Sequence, residues 1–249
     1  MRNILLIFIH YFRRALIDPL GLIMLTVVPI ALILLNTFVF AANVDIPLIN
    51  GYDFIATNNA IPIMAMFQFF GGMWINEWIH EDFRGAQRWR LFSAPVSQSK
   101  FVFSAAAASW LLTIVQGLLI VGVTALFLNA YWGNFLFWIP VLLMLSLSSQ
   151  LTYIIIALFT KTKRTAEAIG HALTFGMAVM GGIMIINVDV LRRIPTPMAA
   201  GMRAIAYSNV VAADGAYDTR TATIHLLTLA GFMVVLGAAA IIAGRRRKI

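Results

Sequence analysis

The chain has 249 residues, of which 61% are hydrophobic and 11% are charged. Soluble domains carry about 25% charged residues, and so apolar a chain could not cover its own surface with polar groups. An ordinary soluble protein is therefore excluded, and we predict an all-α protein that crosses a membrane several times. The net charge is +8, but the basic residues lie between apolar runs, so we expect no nucleic-acid partner. Cysteine is absent, which excludes disulfides and thiolate chemistry.

The first segment, residues 1–18, has the pattern of an amphipathic helix. Its apolar side chains recur every four residues, at Ile4, Phe8, Phe12 and Leu16. Its polar side chains group on another side, at Asn3, His10, Arg13 and Arg14. We predict an interfacial helix on the inner membrane surface. The alternative is an extension of the first span, but Pro19 disfavours helix at Asp18 and favours a break.

Six apolar runs follow. A helix needs about 20 apolar residues to cross a hydrocarbon core of roughly 30 Å. The runs that meet this length are about 21–42, 54–76, 101–128, 135–160, 168–188 and 221–244, and none contains Asp, Glu, Lys or Arg. We expect one membrane domain, residues 1–249, with six transmembrane helices, kinked at Pro29 and Pro62.

The basic residues indicate the orientation. Fourteen of the 18 lie near the N-terminus, after the second and fourth spans, or in the C-terminal tail, which six spans place on one side. The others are Arg192, Arg193, Arg203 and Arg220, all in the loop between the fifth and sixth spans. We therefore predict a protein of the cell membrane (inner or plasma membrane) with both termini cytoplasmic. The apolar middle of that long outer loop predicts a short outer helix or a re-entrant pair.

The connection between the second and third spans is unusually charged. The stretch EWIHEDFRGAQRWRLFSAPVSQSKFVFS, residues 77–104, mixes acids, arginines and aromatic side chains. Gly85 permits a turn and Pro95 ends a helix, which together favour a short helix at the bilayer surface. Aromatic and Arg side chains on such a helix suit a groove on another protein. The alternative is a solvated loop.

This pattern resembles the cytoplasmic loop of ABC-2 type transporter permeases. In that family an acidic residue is followed by a Gly-Thr or Gly-Ala turn, a basic stretch, Leu-x-x-(Ser/Ala)-Pro and a Lys that opens the third span. The matching positions here are Glu81, Gly85, Ala86, Arg88, Trp89, Arg90, Leu91, Ala94, Pro95 and Lys100. The likeness extends to the N-terminal helix, the six spans, the long outer loop and the basic tail. One departure is Ala86-Gln87, where the family often has Thr-Leu or Thr-Glu.

The resemblance implies the membrane subunit of an ABC exporter for an apolar or amphipathic substrate, such as a drug, a peptide or a lipid-like molecule. It implies a coupling helix that contacts a separate ATPase through Glu81, Phe83, Arg84, Gly85, Arg88, Trp89, Arg90, Leu91 and Pro95. Two ATPase subunits and a second permease subunit, identical or homologous, complete such a transporter. ATP and Mg²⁺ are expected on the ATPase, because this chain has no G-x-x-x-x-G-K-[ST] motif.

Three glutamines, Gln68, Gln116 and Gln150, lie inside the second, third and fourth spans. A primary amide in hydrocarbon is costly unless it is hydrogen-bonded, so each must face another helix or a polar cavity. The sequence alone does not distinguish two roles for these glutamines, contacts between helices and the lining of a translocation path.

No catalytic or metal site is evident, because the four histidines are scattered and Ser146, Ser148 and Ser149 have no base nearby in sequence. The alternative function is an ion-coupled secondary transporter that works without an ATPase. Such carriers usually keep an ionisable residue in the membrane. The nearest candidates here are Glu77 and Glu167, which lie at the inner boundary of the predicted spans.

Overall fold

The computed structural model describes residues 2–41, 53–86, 88–89, 93, 96–182, 194–209 and 218–246. These residues form helices joined by short turns and contain no strand. Helix α2 runs from Pro19–Leu22 through a π-helical turn at Ile23–Val27 into Val28–Ala41. The other helices are α1 (Arg2–Ile17), α3 (Phe54–Phe70), α4 (Met73–Arg84), α5 (Gln98–Phe127), α6 (Phe135–Phe159), α7 (Lys163–Gly181), α8 (Pro197–Asn209) and α9 (Thr219–Arg246).

Four helices of the described residues are long and apolar enough to cross a membrane, namely α2 over Pro19–Val39, α5, α6 and α9. They coincide with the first, third, fourth and sixth predicted spans. An all-helical chain with several apolar helices of spanning length is thus confirmed, and it is compatible with a multi-pass membrane protein. The count of six spans stays a prediction.

The second predicted span, 54–76, is two helices and not one. Helix α3 ends at Phe70, a turn follows at Gly71 and Gly72, and α4 then continues to Arg84. A Cβ at Gly72 would lie 2.6 Å from Ser149 Oγ and 2.8 Å from the Ser149 carbonyl oxygen, so only glycine fits against α6 here. The break therefore arises from close packing between helices.

The helix that overlaps the fifth predicted span, 168–188, begins earlier than predicted. Helix α7 begins at Lys163, and Gly182 ends it in the left-handed conformation with φ 82°. Glycine adopts this conformation without strain, and its amide bonds the carbonyls of Ala178 and Val179. Residues 183–188 of the prediction lie outside the described residues.

The predicted break after the N-terminal helix is present. Asp18 has extended backbone angles, and its carboxylate accepts a hydrogen bond from the amide of Gly21, which caps α2. Helix α1 packs along α5 and buries Tyr11 and Ala15. Its other side chains include exposed apolar ones, at Leu5, Leu6, Ile9, Leu16 and Ile17. Leu16 therefore does not belong to the face that packs against the protein.

Helix α6 lies at the centre and packs against α3, α4, α5, α7, α8 and α9. A short helix, α8, lies between the fifth and sixth predicted spans, and its Met198, Ala204 and Ile205 are buried. Asn209 at its end donates a hydrogen bond to the carbonyl of Tyr131, 3.2 Å away, and so joins α8 to the α5–α6 connection.

Candidate functional site

Charged and polar side chains from three helices meet along α4 between Glu77 and Asp82. We call this cluster the charged junction; it comprises Tyr11, Arg14, Glu77, Glu81, Asp82 and Lys163. Two positions of α1, Tyr11 and Arg14, lie one helical turn apart on one face, as do Glu77 and Glu81 on α4. Packing of α1 and α7 against the same acidic face of α4 brings the opposite charges together.

Helix α1 contributes one side of the junction. Arg14 Nη1 lies 3.0 Å from Asp82 Oδ1 and 3.1 Å from Oδ2, and Nη2 donates to the carboxylate of Glu81. The Tyr11 hydroxyl donates to Asp82 Oδ2 at 2.6 Å. Donors from two side chains thus hold Asp82 against α1.

Helix α7 contributes the other side. The hydroxyl of Thr162 caps the helix by accepting a hydrogen bond from the amide of Thr165, which sets Lys163 in the first turn. Lys163 Nζ lies 2.7 Å from Glu81 Oε1 and also donates to the carboxylate of Glu77. Glu81 therefore bridges Arg14 of α1 and Lys163 of α7.

Burial and charge act in opposite directions on these groups. Burial alone would raise the pKa of Glu81, but its bonds to Lys163 and the nearby Arg14 outweigh burial and lower the pKa. Burial raises the pKa of Glu77, and its bond to Lys163 does not offset this. Burial disfavours the charge on Lys163, yet the two carboxylates raise its pKa to about 12.

His80 lies beside the junction and is 5% exposed. Its Nδ1 is 3.0 Å from the carbonyl oxygen of Asn76, so Nδ1 carries the proton in the neutral ring and Nε2 accepts. Arg84 Nη1 donates to Nε2 at 3.2 Å, and the hydroxyl of Thr160, after α6, lies 3.3 Å from Nε2. Burial and the charge of Arg84 lower the pKa of His80, which keeps it neutral.

The predicted coupling hairpin leaves this junction at Gly85. The amide of Gly85 donates to the carbonyl of Glu81 at 3.1 Å, and a Cβ at Gly85 would collide with that oxygen. Phe83 is buried at 4% exposure, whereas Arg88 is exposed and Trp89 is 62% exposed. Phe83 and Arg84 thus contact the protein's own helices, while Arg88 and Trp89 face outward. The predicted contacts Arg90, Leu91 and Pro95 lie outside the described residues.

Serines of the neighbouring helices form hydrogen bonds with the backbone groups at the helix break at Gly71 and Gly72. The amide of Gly72 donates to Ser149 Oγ at 2.9 Å, and the Ser149 hydroxyl donates to the carbonyl of Phe69. Ser109 of α5 donates to the carbonyl of Gly71 at 3.2 Å. These hydroxyls replace the bonds that a continuous helix would make, so the break is a built feature of the packing.

The three glutamines lie around the same break and connect helices. Gln68 Nε2 donates to the carbonyl of Thr113 at 2.9 Å, Gln116 Nε2 lies 3.5 Å from the carbonyl of Phe67, and Gln150 Nε2 lies 3.3 Å from Thr113 Oγ1. All three side chains are buried. Contacts between helices therefore account for these donors, and a role in a translocation path stays a prediction.

Within the described ranges no group of three or more His, Asp or Glu side chains is arranged to hold a metal ion. No protein-family model matches the sequence, and no curated protein matches it.

Sequence reasoning missed Tyr11, Arg14, Asp82 and Lys163 as members of a site. From the sequence, Lys163 is one of the basic residues after the fourth predicted span and indicates only the orientation. The one sequence signal for the junction is the spacing of Glu77 and Glu81, four residues apart, which places two carboxylates on one helical face.

Proposed function

We propose that this chain is the membrane-spanning permease subunit of an ATP-driven ABC exporter of the ABC-2 type. It moves an apolar or amphipathic substrate, such as a drug, a peptide or a lipid-like molecule, out of the cell. ATP and Mg²⁺ bind two copies of a separate ATPase, and a second permease subunit, identical or homologous, completes the complex. The observation that carries this proposal is the charged junction, which ties the helix leading into the hairpin to α1 and α7.

The junction gives a physical route from the hairpin to the rest of the protein. A force on Arg88 or Trp89 acts on α4 through Gly85, and α4 is held by ion pairs to Arg14 and Lys163. The helix break at Gly72 separates α4 from α3, so α4 is the segment that pivots. Under this mechanism ATP-driven closure of the ATPases moves α4 together with α1 and α7.

Each ion pair of the junction is weak by itself, so the connection between the three helices depends on several contacts together. The side chains of Arg14 and Asp82 are 31% and 20% exposed, and those of Lys163 and Glu81 are 38% and 39% exposed. Partly exposed pairs of this kind contribute about 1 kcal/mol or less each. The junction therefore holds position without locking the helices permanently.

Contacts at the two ends of the bundle support the proposed topology of six spans in the cell membrane with cytoplasmic termini. Lys163 contacts the end of α4, and Gln98 and Arg245 line one groove, so these basic segments share one end. At the other end of α5 the amide of Asp53 bonds the carbonyl of Asn129 at 3.1 Å. Asp53, Asn129 and Asn209, the last through its bond to Tyr131, thus lie at the end opposite the basic segments.

Co-purification with the ATPase tests the proposal. The variants Arg88→Glu and Trp89→Ala change exposed hairpin side chains and leave the buried base intact. We expect both to release a P-loop ATPase, and its ATP hydrolysis, from the purified complex. The control Arg246→Glu changes an exposed arginine at the same end of the bundle and should retain the ATPase. The proposal would be refuted if both hairpin variants retained the ATPase, or if no ATPase co-purified with the parent protein.

A further inference from the structure

A groove of about 1030 Å³ runs between α5, α6 and α9. Most of its lining is apolar, including Val102, Phe103, Trp110, Leu151, Ile154 and Ile241. It exists because small residues of α9 face α5 and α6: a Cβ at Gly237 would still lie 3.9 Å from Leu151 Cδ1. The groove shares no residue with the charged junction, and it reaches the surroundings of the glycine break only at Gln150.

One end of the groove is positive. Arg245, near the end of α9, is the one charged side chain among the described residues that line it. Gln98 and Ser99, from the first turn of α5, lie at the same end, where backbone amides have no partner within the helix. Ser97, which precedes them, provides no side-chain cap. A guanidinium and free helix-terminal amides together favour an anion.

Deeper in the groove lies a buried polar side chain with an unused acceptor. Gln150 is 1% exposed and lines the groove, and its amide nitrogen lies 3.3 Å from Thr113 Oγ1. Its Oε1 has no hydrogen-bond partner among the described residues. The groove thus has a positive end, an apolar body and one buried polar group at the far end of the apolar body.

We propose that this groove binds an anionic phospholipid, with one acyl chain along the apolar lining and the phosphate at Arg245, Gln98 and Ser99. No acidic side chain occurs among the described lining residues, so a choline or ammonium headgroup finds no partner while a net negative headgroup does. The site selects the lipid by headgroup charge, and the groove holds the acyl chain. This binding does not depend on the proposed transport activity.

Fluorescence quenching by brominated lipids tests the site, because Trp110 lines the groove. The full chain is placed in phosphatidylcholine nanodiscs that contain increasing fractions of brominated phosphatidylglycerol or, in a parallel series, of brominated phosphatidylcholine. The Trp110 signal is the difference between the parent and Trp110→Phe. We expect brominated phosphatidylglycerol to reach half-maximal quenching of Trp110 at a fraction about fivefold lower, the effect of one Arg on an anionic lipid.

Two matched pairs of variants test whether the lipid preference depends on Arg245 and whether the quenching depends on the groove. Arg245→Gln should abolish the preference for phosphatidylglycerol, while Arg246→Gln, on the neighbouring exposed arginine, should retain it. Gly237→Leu fills the groove and should reduce quenching by both lipids. Gly231→Leu, on the same helix where a Cβ meets nothing within 4 Å, should not.

Native mass spectrometry gives a readout that does not depend on Trp110. Parent protein and Arg246→Gln should retain bound phosphatidylglycerol, and Arg245→Gln should lose it. Equal quenching by the two lipids, an unchanged preference in Arg245→Gln, or equal quenching in the Gly237→Leu and Gly231→Leu variants would overturn the proposal.

Discussion

Arg14 of α1 and Asp82 of α4 form an ion pair in which one guanidinium nitrogen contacts both carboxylate oxygens, at 3.0 and 3.1 Å. The two residues are 68 positions apart, so the pair fixes the position of the N-terminal helix relative to the base of the hairpin. Under the proposed function the two elements therefore move as one body.

A double-mutant cycle on this pair measures its coupling. Arg14→Gln and Asp82→Asn should each lower the melting temperature in detergent, and the double variant should lose less than the sum. The expected coupling is about 1 kcal/mol, because both side chains are partly exposed. Arg13→Gln changes the adjacent exposed arginine and should have no effect. An additive double variant would show that the pair contributes nothing.

The two glutamates that share Lys163 should respond oppositely to neutralisation. The pKa of Glu81 lies below its ordinary value of 4.5, so its ionised form contributes stability at neutral pH that is lost as the pH falls through the lowered pKa. Glu81→Gln should therefore lower the melting temperature at pH 7 and flatten its decline in acid. Melting curves from pH 7 down to about pH 3 measure this decline.

The stability that Glu77 contributes depends on pH in the opposite direction. The pKa of Glu77 is raised above 4.5, so its contribution is present below that pH and is lost as the pH rises through the raised pKa. Glu77→Gln should therefore retain or increase the melting temperature at pH 7 and steepen the decline in acid. Equal pH profiles for Glu77→Gln and Glu81→Gln would contradict the opposite shifts.

Gly85 should tolerate no side chain. Gly85→Ala places a Cβ against the backbone carbonyl of Glu81 and should cost about 1–3 kcal/mol, as other overpacked sites do. Gly122→Ala is the matched control, because a Cβ there meets nothing within 4 Å, and it should raise stability through helix propensity. We expect opposite changes in melting temperature and faster trypsin cleavage of Gly85→Ala at Arg84 and Arg88. A Gly85→Ala protein that melts no lower than the parent would refute the steric requirement.

The sequence predicted those parts of the fold that depend on local pattern. Apolar length located α5, α6 and α9, and the Asp18-Pro19 pair located the break between α1 and α2. It did not predict the break at Gly72, because the cause is contact with Ser149, 77 residues away. Asp82 was missed for a similar reason, since Tyr11 and Arg14 are remote in sequence.

Adjacent serines of α6 should differ in their contribution to stability. The Ser149 hydroxyl accepts a hydrogen bond from the amide of Gly72 and donates one to the carbonyl of Phe69. Ser149→Ala leaves these two buried groups with only their long 3.4 Å bond to each other and should cost about 1–3 kcal/mol. The hydroxyl of Ser148 is buried and has no partner among the described residues. Ser148→Ala should therefore leave the melting temperature unchanged or raise it. Equal losses in the two variants would show that these hydrogen bonds do not hold the break.

The most direct test of the proposed function is to determine on which side of the membrane the hairpin lies. The chain has no cysteine, so single variants Ala86→Cys, at the exposed start of the hairpin, and Thr219→Cys, at the exposed start of α9, carry one reactive thiol each. With a membrane-impermeant maleimide on intact cells, we expect Thr219→Cys to react and Ala86→Cys to react only after the cells are opened. Reaction of Ala86→Cys in intact cells would put the hairpin outside, where no ATPase contacts it, and would contradict the proposed function.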